Sequence, residues 1–291
     1  MDKLGITIER KGESFVAEID GLDLSTPLSN ANWSTLHRAY LDHKALIFHG
    51  QGLDAPSLSR FGEMFGGISP HTVRKYRHED IEGVTILSNR VEMGRPKGIR
   101  DAGSHWHSDY SYREIPANVT ILYALETPAE GGDTILCDMQ AAWETLPEAT
   151  KIRLDGLQHL LQYRWCSNQN HPESRWRLLS EDERRETPEV THPVVRTHPE
   201  TGAKSLYVFS GLTSGVQRIL GIPDDESRTL LDAIFAHCQD PKFHYRYKWR
   251  GPGDILLWDN RCTMHHATTD HLPADKPRTL WRVNTIGDKP I

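Results

Sequence analysis

The sequence predicts a mainly β fold with flanking helices, of the double-stranded β-helix type (jelly roll, cupin-like). Many short segments rich in β-branched and aromatic residues are spread through the chain, with Gly, Pro, Asn and Asp between them. The helical segments lack the regular strand–helix alternation that a doubly wound parallel sheet requires. No shift in composition marks a boundary, so residues 1–291 are predicted to form a single domain.

The first third of the chain is predicted to contain a hairpin, two helices and two buried strands. Residues 4–19 alternate loosely, as in an opening hairpin. Ser29 or Asn30 can cap a helix over residues 33–43, and a second helix over 55–65 ends at two glycines. Apolar runs at 44–50 and 83–89 predict strands, whereas the Gly, Pro and charges of 91–104 predict a loop.

Strand signals dominate the rest of the chain, and two helices interrupt them at residues 144–161 and 224–238. The predicted strands lie at residues 105–112, 118–126, 131–139, 190–198, 205–209, 243–249, 253–260 and 279–286. Residues 163–190 are polar, charged and aperiodic, which predicts a long inserted loop. Long ordered loops in compact domains often act as lids.

Composition and charge exclude several classes of function. The net charge of −6 and the absence of a basic stripe argue against a nucleic-acid partner. No window approaches the roughly 18 apolar residues that cross a bilayer, and no apolar signal segment follows the charged start. The four cysteines form no Cys-x-x-Cys pair, which favours a reducing cytoplasm over a disulfide framework or a zinc knot.

Three possible metal ligands occupy every second position of the segment HWHSD. In an extended strand His105, His107 and Asp109 would point to the same face. An isolated His-x-Asp also fits an ordinary polar strand face. A metal site therefore requires a further ligand from elsewhere in the fold.

The segment 253–270 offers that further ligand. An apolar strand leads into a turn and then to His265 and His266, of which only one can face a given ion because adjacent strand residues point to opposite sides. Two histidines and one carboxylate form the ligand set of non-haem Fe(II) oxygenases, which leaves coordination positions open. Structural zinc favours four closed ligands with cysteine. We therefore predict an Fe(II) site.

Two arginines downstream suit an oxygenase that uses 2-oxoglutarate. Arg278 and Arg282 share a face in an extended segment, and a guanidinium binds a carboxylate through two parallel hydrogen bonds. Taken alone, either arginine could be a surface charge. Alternatively, Arg282 could pair with a structural carboxylate such as Asp259 or Asp288.

Seven short motifs cover almost the whole chain in order: EIDGLDLSTPLS, RFGE, WHSD, GGDT, HPVVRTHPETG, WDNRCTMHHA and GDKP. In this set and order the sequence resembles the taurine dioxygenase / 2,4-dichlorophenoxyacetate dioxygenase family of Fe(II)/2-oxoglutarate-dependent oxygenases. The resemblance implies His107, Asp109 and His265 as the iron ligands, with His105 and His266 outside the metal shell.

The resemblance also implies how the organic ligands are held. Thr134 and Arg278 would bind the distal carboxylate of 2-oxoglutarate, and Arg282 would contact an anionic primary substrate. O₂ is the further co-substrate, with succinate and CO₂ as products. Related iron halogenases lack the metal-binding carboxylate, so Asp109 favours hydroxylation of a C–H bond.

Two glycines distinguish the expected substrate pocket from that of a taurine enzyme. Gly67 and Gly103 stand where the resemblance leads us to expect polar side chains. We therefore expect Gly103 to line a roomier pocket that binds a small organic anion with an apolar portion.

Two other functions fit a jelly roll with these ligands. One is a metal-dependent hydrolase or isomerase, and the other is a non-catalytic small-molecule binder with a degenerate site. The chain retains every ligand residue, which favours the oxygenase. The family commonly forms dimers or tetramers, so the resemblance implies a homodimer or homotetramer.

Overall fold

The computed structural model describes residues 5–100, 102–161, 182, 185, 188–209, 216–270 and 272–291. The predicted loop or lid at residues 163–190 lies almost entirely outside these ranges. Within them, no helix combines the length and apolarity that crossing a bilayer demands.

Helices and strands follow one another in an irregular order. The helices are α1 (Asn30–His43), α2 (Ala55–Glu63), α3 (Met139–Glu144), α4 (Glu148–Leu154) and α5 (Asp224–Cys238), with 3-10 turns at Arg74–Tyr76 and Pro241–Phe243. The first strands are β1 (Thr7–Arg10), β2 (Val16–Asp20), β3 (Ala45–Phe48), β4 (Val84–Ser88), β5 (Val91–Glu92), β6 (Arg95–Pro96), β7 (Ala117–Glu126) and β8 (Thr134–Asp138). The later strands are β9 (Gln158–Leu161), β10 (Val190–Pro193), β11 (Val195–Thr197), β12 (Lys204–Leu206), β13 (Val216–Ile219), β14 (His244–Tyr247), β15 (Ile255–Asp259), β16 (Thr263–Ala267) and β17 (Thr279–Ile286).

Two sheets face each other across an apolar core. The larger has the order β1-β2-β3-β15-β7-β17-β4, and the smaller has the order β14-β8-β16. Leu122, Leu256 and Leu280 of the larger sheet pack with Leu136 and Tyr247 of the smaller one. The predicted jelly roll is therefore confirmed.

Helices cover the outer faces of both sheets. Buried residues of α1 and α2, including Leu36 and Phe61, pack against the larger sheet. The Ser29 side chain caps α1 by accepting a hydrogen bond from the backbone N–H of Asn32. Of the two predicted caps, Ser29 and Asn30, it is therefore Ser29 that begins the helix. Trp143 of α3 and Ile234 of α5 pack against the smaller sheet.

Three sequence predictions of local structure were wrong. Residues 105–112 are not a strand, because Tyr110 takes a left-handed φ of 56° and His107 forms only an isolated bridge with His265. The helix predicted at 144–161 is instead the end of α3, then α4, then β9, since Pro147 and the left-handed Gly156 interrupt it. The loop at 91–104 contains the short β5–β6 hairpin.

Alternation along two strands directs polar side chains into the space between the sheets. Leu280 of β17 belongs to the inter-sheet core, so Arg282 and Asn284 also point inward. On β16, Met264 packs toward the covering helices, and His265 therefore points inward. The space between the sheets thus holds an apolar core and a polar site.

Candidate active site

Three possible metal ligands converge between the sheets. The ligand atoms of His107, Asp109 and His265 all lie within 4.8 Å of one another. Nε2 of His107 is 3.7 Å from Asp109 Oδ1, and Nε2 of His265 is 3.9 Å from Asp109 Oδ2. The fold therefore brings together the three residues that the resemblance implied.

Backbone pairing and a turn produce this convergence. His107 and His265 exchange backbone hydrogen bonds of 3.0 and 2.8 Å, which places their rings side by side. The chain turns immediately after Asp109, at Tyr110. Nδ1 of His107 lies 2.8 Å from the carbonyl of His105 and donates to it, which leaves Nε2 free to bind a cation.

The two neighbouring histidines lie outside this group. His105 contributes the carbonyl that orients His107. The ring of His266 lies on the opposite side of β16 and packs near Trp106, with ring centroids 5.5 Å apart. This arrangement agrees with the implied choice of His265 over His266.

Asp109 is held by a buried polar network that the sequence did not reveal. Its Oδ2 accepts hydrogen bonds from the Thr120 hydroxyl (2.6 Å) and the Asn284 amide (2.9 Å). Asn260 accepts from the backbone N–H of Asp109 and donates to Thr120. Asn284 and Thr120 are partners across β17 and β7, a pairing that cannot be read from one sequence. These contacts fix the orientation of the carboxylate.

The electrostatics of the group suit a divalent cation. Burial acts to raise the pKa of Asp109, but Arg282 and the two histidines hold it well below its usual value. Burial, followed by the neighbouring His107, lowers the pKa of His265. An ionised carboxylate and a neutral imidazole are the forms in which aspartate and histidine bind metal.

Thr134 and Arg278 are buried, and neither forms an ion pair or hydrogen bond with a carboxylate among the described residues. The Thr134 hydroxyl makes no hydrogen bond within the described ranges. Arg278 is 4% exposed, and its Nε donates to the Gly132 carbonyl at 2.8 Å. No carboxylate among the described residues forms an ion pair with it, and burial lowers its pKa to about 10. The donor set therefore fits an anionic ligand such as the distal carboxylate of 2-oxoglutarate.

Arg282 is also buried, and it contacts Asp109. Its Nη1 lies 3.2 Å from Asp109 Oδ1, while its Nε has no partner. It pairs with neither Asp259 nor Asp288, which contact Arg261 instead. The structural partner of Arg282 is thus a proposed iron ligand.

Two further residues near Arg282 were not selected from the sequence. The Tyr110 hydroxyl is buried without a hydrogen bond, and the Arg282 guanidinium lies 5.9 Å from the centre of its ring. His71 lies 6.3 Å from Tyr110 by ring centroids. Its Nδ1 lies 3.0 Å from the backbone N of Val73 and 3.3 Å from the Val73 carbonyl; accepting the shorter of these two bonds leaves the proton on Nε2, which can then donate to a ligand. Burial, followed by Arg282, lowers the pKa of His71 to about 3, so the ring is neutral near pH 7.

Gly67 and Gly103 each lie close to a side chain that an added Cβ would contact. Gly103 has φ of +77°, and a Cβ there would lie 3.1 Å from Cε1 of His107. A side chain at this position would therefore press on a proposed iron ligand. Gly67 faces Ile286, whose Cδ1 would lie 3.1 Å from an added Cβ.

A second group of possible ligands, His198, Asp259 and Cys262, is already satisfied by protein partners. Asp259 accepts from His198 at 2.9 Å and from both Nε and Nη2 of Arg261. Nδ1 of His198 accepts backbone N–H groups of the following turn. This group links the WDNR and HPETG motifs, and its hydrogen bonds are those of a structural network.

The chain matches known proteins along nearly its whole length. The family model described as "Taurine catabolism dioxygenase TauD, TfdA family" matches residues 7–284. Over 287 residues the chain is 33% identical to the alpha-ketoglutarate-dependent 2,4-dichlorophenoxyacetate dioxygenase of Burkholderia sp. strain RASC, covering 94% of this chain and 92% of that protein. It is 31% identical to an alkylsulfatase of Acinetobacter baylyi, covering 94% and 82%. A taurine dioxygenase structure from Burkholderia xenovorans superposes with a TM-score of 0.80 at 28% identity, covering 98% and 91%.

A jelly roll with two histidines and one carboxylate turned into its interior defines a class, the non-haem iron oxygenases. The chain belongs to the TauD/TfdA family. It is an Fe(II)- and 2-oxoglutarate-dependent dioxygenase that uses O₂ and acts on a small molecule. The predicted family, enzyme class and cofactors are confirmed, and the comparisons give no support to a hydrolase, an isomerase or a non-catalytic binder.

Proposed function

We propose that His107, Asp109 and His265 bind the Fe(II) and that the enzyme hydroxylates a C–H bond of a small organic anion. The observation that carries this proposal is the convergence of the three ligand atoms within 4.8 Å, on the inner side of both sheets. When bound, iron, 2-oxoglutarate and O₂ supply the oxidising chemistry, with succinate and CO₂ as co-products. The protein residues supply geometry, orientation and exclusion of water.

The chain orients each of its ligands through a separate hydrogen bond or backbone contact. The His105 carbonyl fixes the tautomer of His107, and Thr120 with Asn284 orients the Asp109 carboxylate. Backbone pairing with His107 positions the backbone of His265, whose ring Nδ1 has no hydrogen bond among the described residues. Hydrogen bonds therefore orient His107 and Asp109 before a cation binds, and His265 is positioned through its backbone.

Thr134 and Arg278 bind the distal carboxylate of 2-oxoglutarate in this proposal. Both donors are buried, and the Gly132 carbonyl fixes the guanidinium through Nε, so the Nη groups can donate to a ligand. A buried cation without a protein carboxylate is costly, and the co-substrate carboxylate would compensate it. This ligand also explains the unpartnered Thr134 hydroxyl.

Arg282, Tyr110 and His71 form the proposed anion-binding side of the substrate pocket, and Gly103 lies beside His107 on the same pocket. The unpartnered Nε of Arg282, the free Tyr110 hydroxyl and the Nε2–H of His71 are three potential donors. Two relatives are named for 2,4-dichlorophenoxyacetate and alkyl sulfates, which are anions with an apolar portion. We infer a substrate of that chemical type rather than taurine.

The substrate is identified by measuring succinate release with a panel of sulfonates, sulfate esters, carboxylates and aryloxy acids. The best anion and its neutral ester or amide are then compared in wild type and Arg282→Gln. We expect kcat/KM for the anion to fall roughly 100-fold and that for the neutral analogue about threefold or less, the first loss being near 2.7 kcal/mol. Fe(II) affinity is measured in parallel, because Arg282 also contacts Asp109.

An equal fall in kcat/KM for the anion and for its neutral analogue would mean that Arg282 supports Asp109 and does not bind the substrate. Taurine as the preferred substrate would contradict the inference from Gly67 and Gly103. Either result leaves the iron site itself intact.

We also propose that the chain is one domain and that it works in the cytoplasm as a homodimer or homotetramer. The support for this is the distribution of the family motifs over nearly the whole chain, the lack of a Cys-x-x-Cys pair and the resemblance to a family that commonly forms dimers or tetramers. The net charge of −6 supports the absence of a nucleic-acid partner, and the lack of a long apolar run supports the absence of a membrane partner.

A further inference from the structure

Arg196 is a fully buried cation that has no carboxylate partner among the described residues. It lies on β11, within the HPVVRTHPETG motif, and is 1% exposed. Its Nη2 donates to the carbonyl of Asp288 at 3.3 Å, while Nε and Nη1 have no partner within the described ranges. Buried arginines are almost always paired with an anion.

The other buried arginines of the described chain show what such a partner looks like. Arg261 pairs with Asp259 and Glu200, and Arg282 pairs with Asp109. Arg278 shares with Arg196 the absence of a carboxylate within 4.0 Å, and we have assigned to it the carboxylate of a bound ligand. By the same reasoning, Arg196 calls for an anion that the described residues do not supply.

The groups around Arg196 are also buried and unsatisfied. The guanidinium lies 5.1 Å from the centre of the Tyr207 ring, and the Tyr207 hydroxyl lies close to Arg196 and Ser108 without a well-formed hydrogen bond to either. The rings of His192 and His159 lie 5.9 and 6.5 Å from that of Tyr207, and they face each other across β10 and β9. His192 Nδ1 and both nitrogens of His159 are unpartnered.

Water alone does not account for this site. Ordered water satisfies unpartnered hydroxyl and imidazole groups, but it supplies no negative charge. The Tyr207 ring face stabilises the guanidinium partly, yet it leaves Nε and Nη1 without acceptors. Burial lowers the pKa of His159 to about 3 and that of His192 to about 4, so both rings are neutral near pH 7. The net charge of the cluster is therefore positive.

We propose that Arg196 and Tyr207 bind a buried small monoanion of the size of chloride, with His159 and His192 completing the site directly or through water. A halide accepts hydrogen bonds from several converging donors and needs little volume. The donors without a well-formed hydrogen bond here are Nε and Nη1 of Arg196 and the Tyr207 hydroxyl.

The site lies behind the proposed iron ligands. The Tyr207 hydroxyl neighbours Ser108, which stands between His107 and Asp109 and donates to the Asn260 carbonyl at 2.9 Å. His192 Nε2 donates to the carbonyl of Arg113, just beyond the turn at Tyr110. A bound anion would therefore stabilise the segment that presents two iron ligands.

Two experiments on the folded protein test the proposal. Crystals soaked in sodium bromide should show an anomalous bromine peak within hydrogen-bonding distance of Arg196 and Tyr207. In solution, replacing gluconate by chloride at constant ionic strength should raise the Tm of the wild type saturably, by roughly 2–5 °C over about 100 mM. Arg196→Met should abolish the rise, whereas the exposed Arg153→Met should retain it.

Tyr207→Phe removes a single hydroxyl and serves if Arg196→Met does not fold. We expect it to raise the chloride concentration at half-maximal stabilisation severalfold. Water-like density without a bromine peak at Arg196 overturns the proposal, as does a chloride response that persists unchanged in both variants. A bromine peak without a chloride response in solution would mean binding at crystal concentration only and would also overturn it.

Discussion

The two oxygens of the Asp109 carboxylate have different surroundings. Oδ2 accepts from Thr120 and Asn284, whereas Oδ1 faces Arg282 and His107. Residues that orient a metal ligand affect metal affinity without touching the ion. Thr120 and Asn284 could not be assigned from the sequence, because strand pairing decides which side chains meet.

Asn284→Leu should therefore weaken Fe(II) binding roughly 10- to 100-fold while leaving the three ligands in place. The loss follows from removing one of the two donors that hold Oδ2. Anaerobic Fe(II) titration measures it, with His266→Ala as the matched control. Unchanged affinity in Asn284→Leu would mean that Thr120 alone orients the carboxylate.

Arg278→Lys should raise the KM for 2-oxoglutarate by at least about tenfold, or roughly 1.4 kcal/mol, because lysine retains the charge but not the planar pair of donors. Thr134→Val should raise it less, since it removes a single hydroxyl. Steady-state kinetics with varied 2-oxoglutarate measure both effects. If the KM for 2-oxoglutarate in Arg278→Lys equals that of the wild type, Arg278 does not bind the distal carboxylate of 2-oxoglutarate.

Among the helices and strands, the bounds predicted from the sequence agree with the structure for regular segments and disagree for irregular ones. The helix at Asp224–Cys238 and the strand at Thr279–Ile286 have the predicted bounds, because hydrophobic periodicity alone defines them. Residues 105–112 alternate like a strand, yet Tyr110 turns the chain so that Asp109 meets His107. That turn depends on tertiary contacts. The two predicted ligands therefore lie together although the predicted secondary structure was wrong.

The end of β15 is tied to the turn after β11 by a buried ion-pair network. Asp259 lies between Arg261 and His198, which together hold its pKa far below the ordinary value of 3.8 against the effect of burial. A carboxylate with a lowered pKa in the folded state stabilises the protein above its unfolded-state pKa, and this contribution is lost as the pH falls below about 4. Acid unfolding should therefore depend on Asp259.

Asp259→Asn should lower the free energy of unfolding at pH 7 by about 3–5 kcal/mol, because it leaves Arg261 buried without its main partner. It should also reduce the slope of stability against pH below about pH 4. Urea unfolding between pH 3 and pH 8 measures both effects, with the exposed Asp275→Asn as control. The same acid slope in Asp259→Asn and wild type would show that other carboxylates dominate.

At the scale of the whole molecule, the site combines segments that are far apart in sequence. His107 and His265 are brought together by pairing next to the smaller sheet, and Arg282 reaches them from the larger one. The sequence predicts these residues as members of one site through its resemblance to the family. It could not identify the buried surroundings of Arg196 and Asp109, since these depend on which strands are neighbours.

Equilibrium binding of Fe(II) under anaerobic conditions tests the assignment of the iron site most directly. We expect one Fe(II) per chain in wild type, His105→Ala and His266→Ala, because neither substituted residue belongs to the converging group. His107→Ala, Asp109→Ala and His265→Ala should each lose stoichiometric binding, since two remaining protein ligands rarely hold a labile divalent ion. Loss of iron in His266→Ala with retention in His265→Ala would contradict the assigned site.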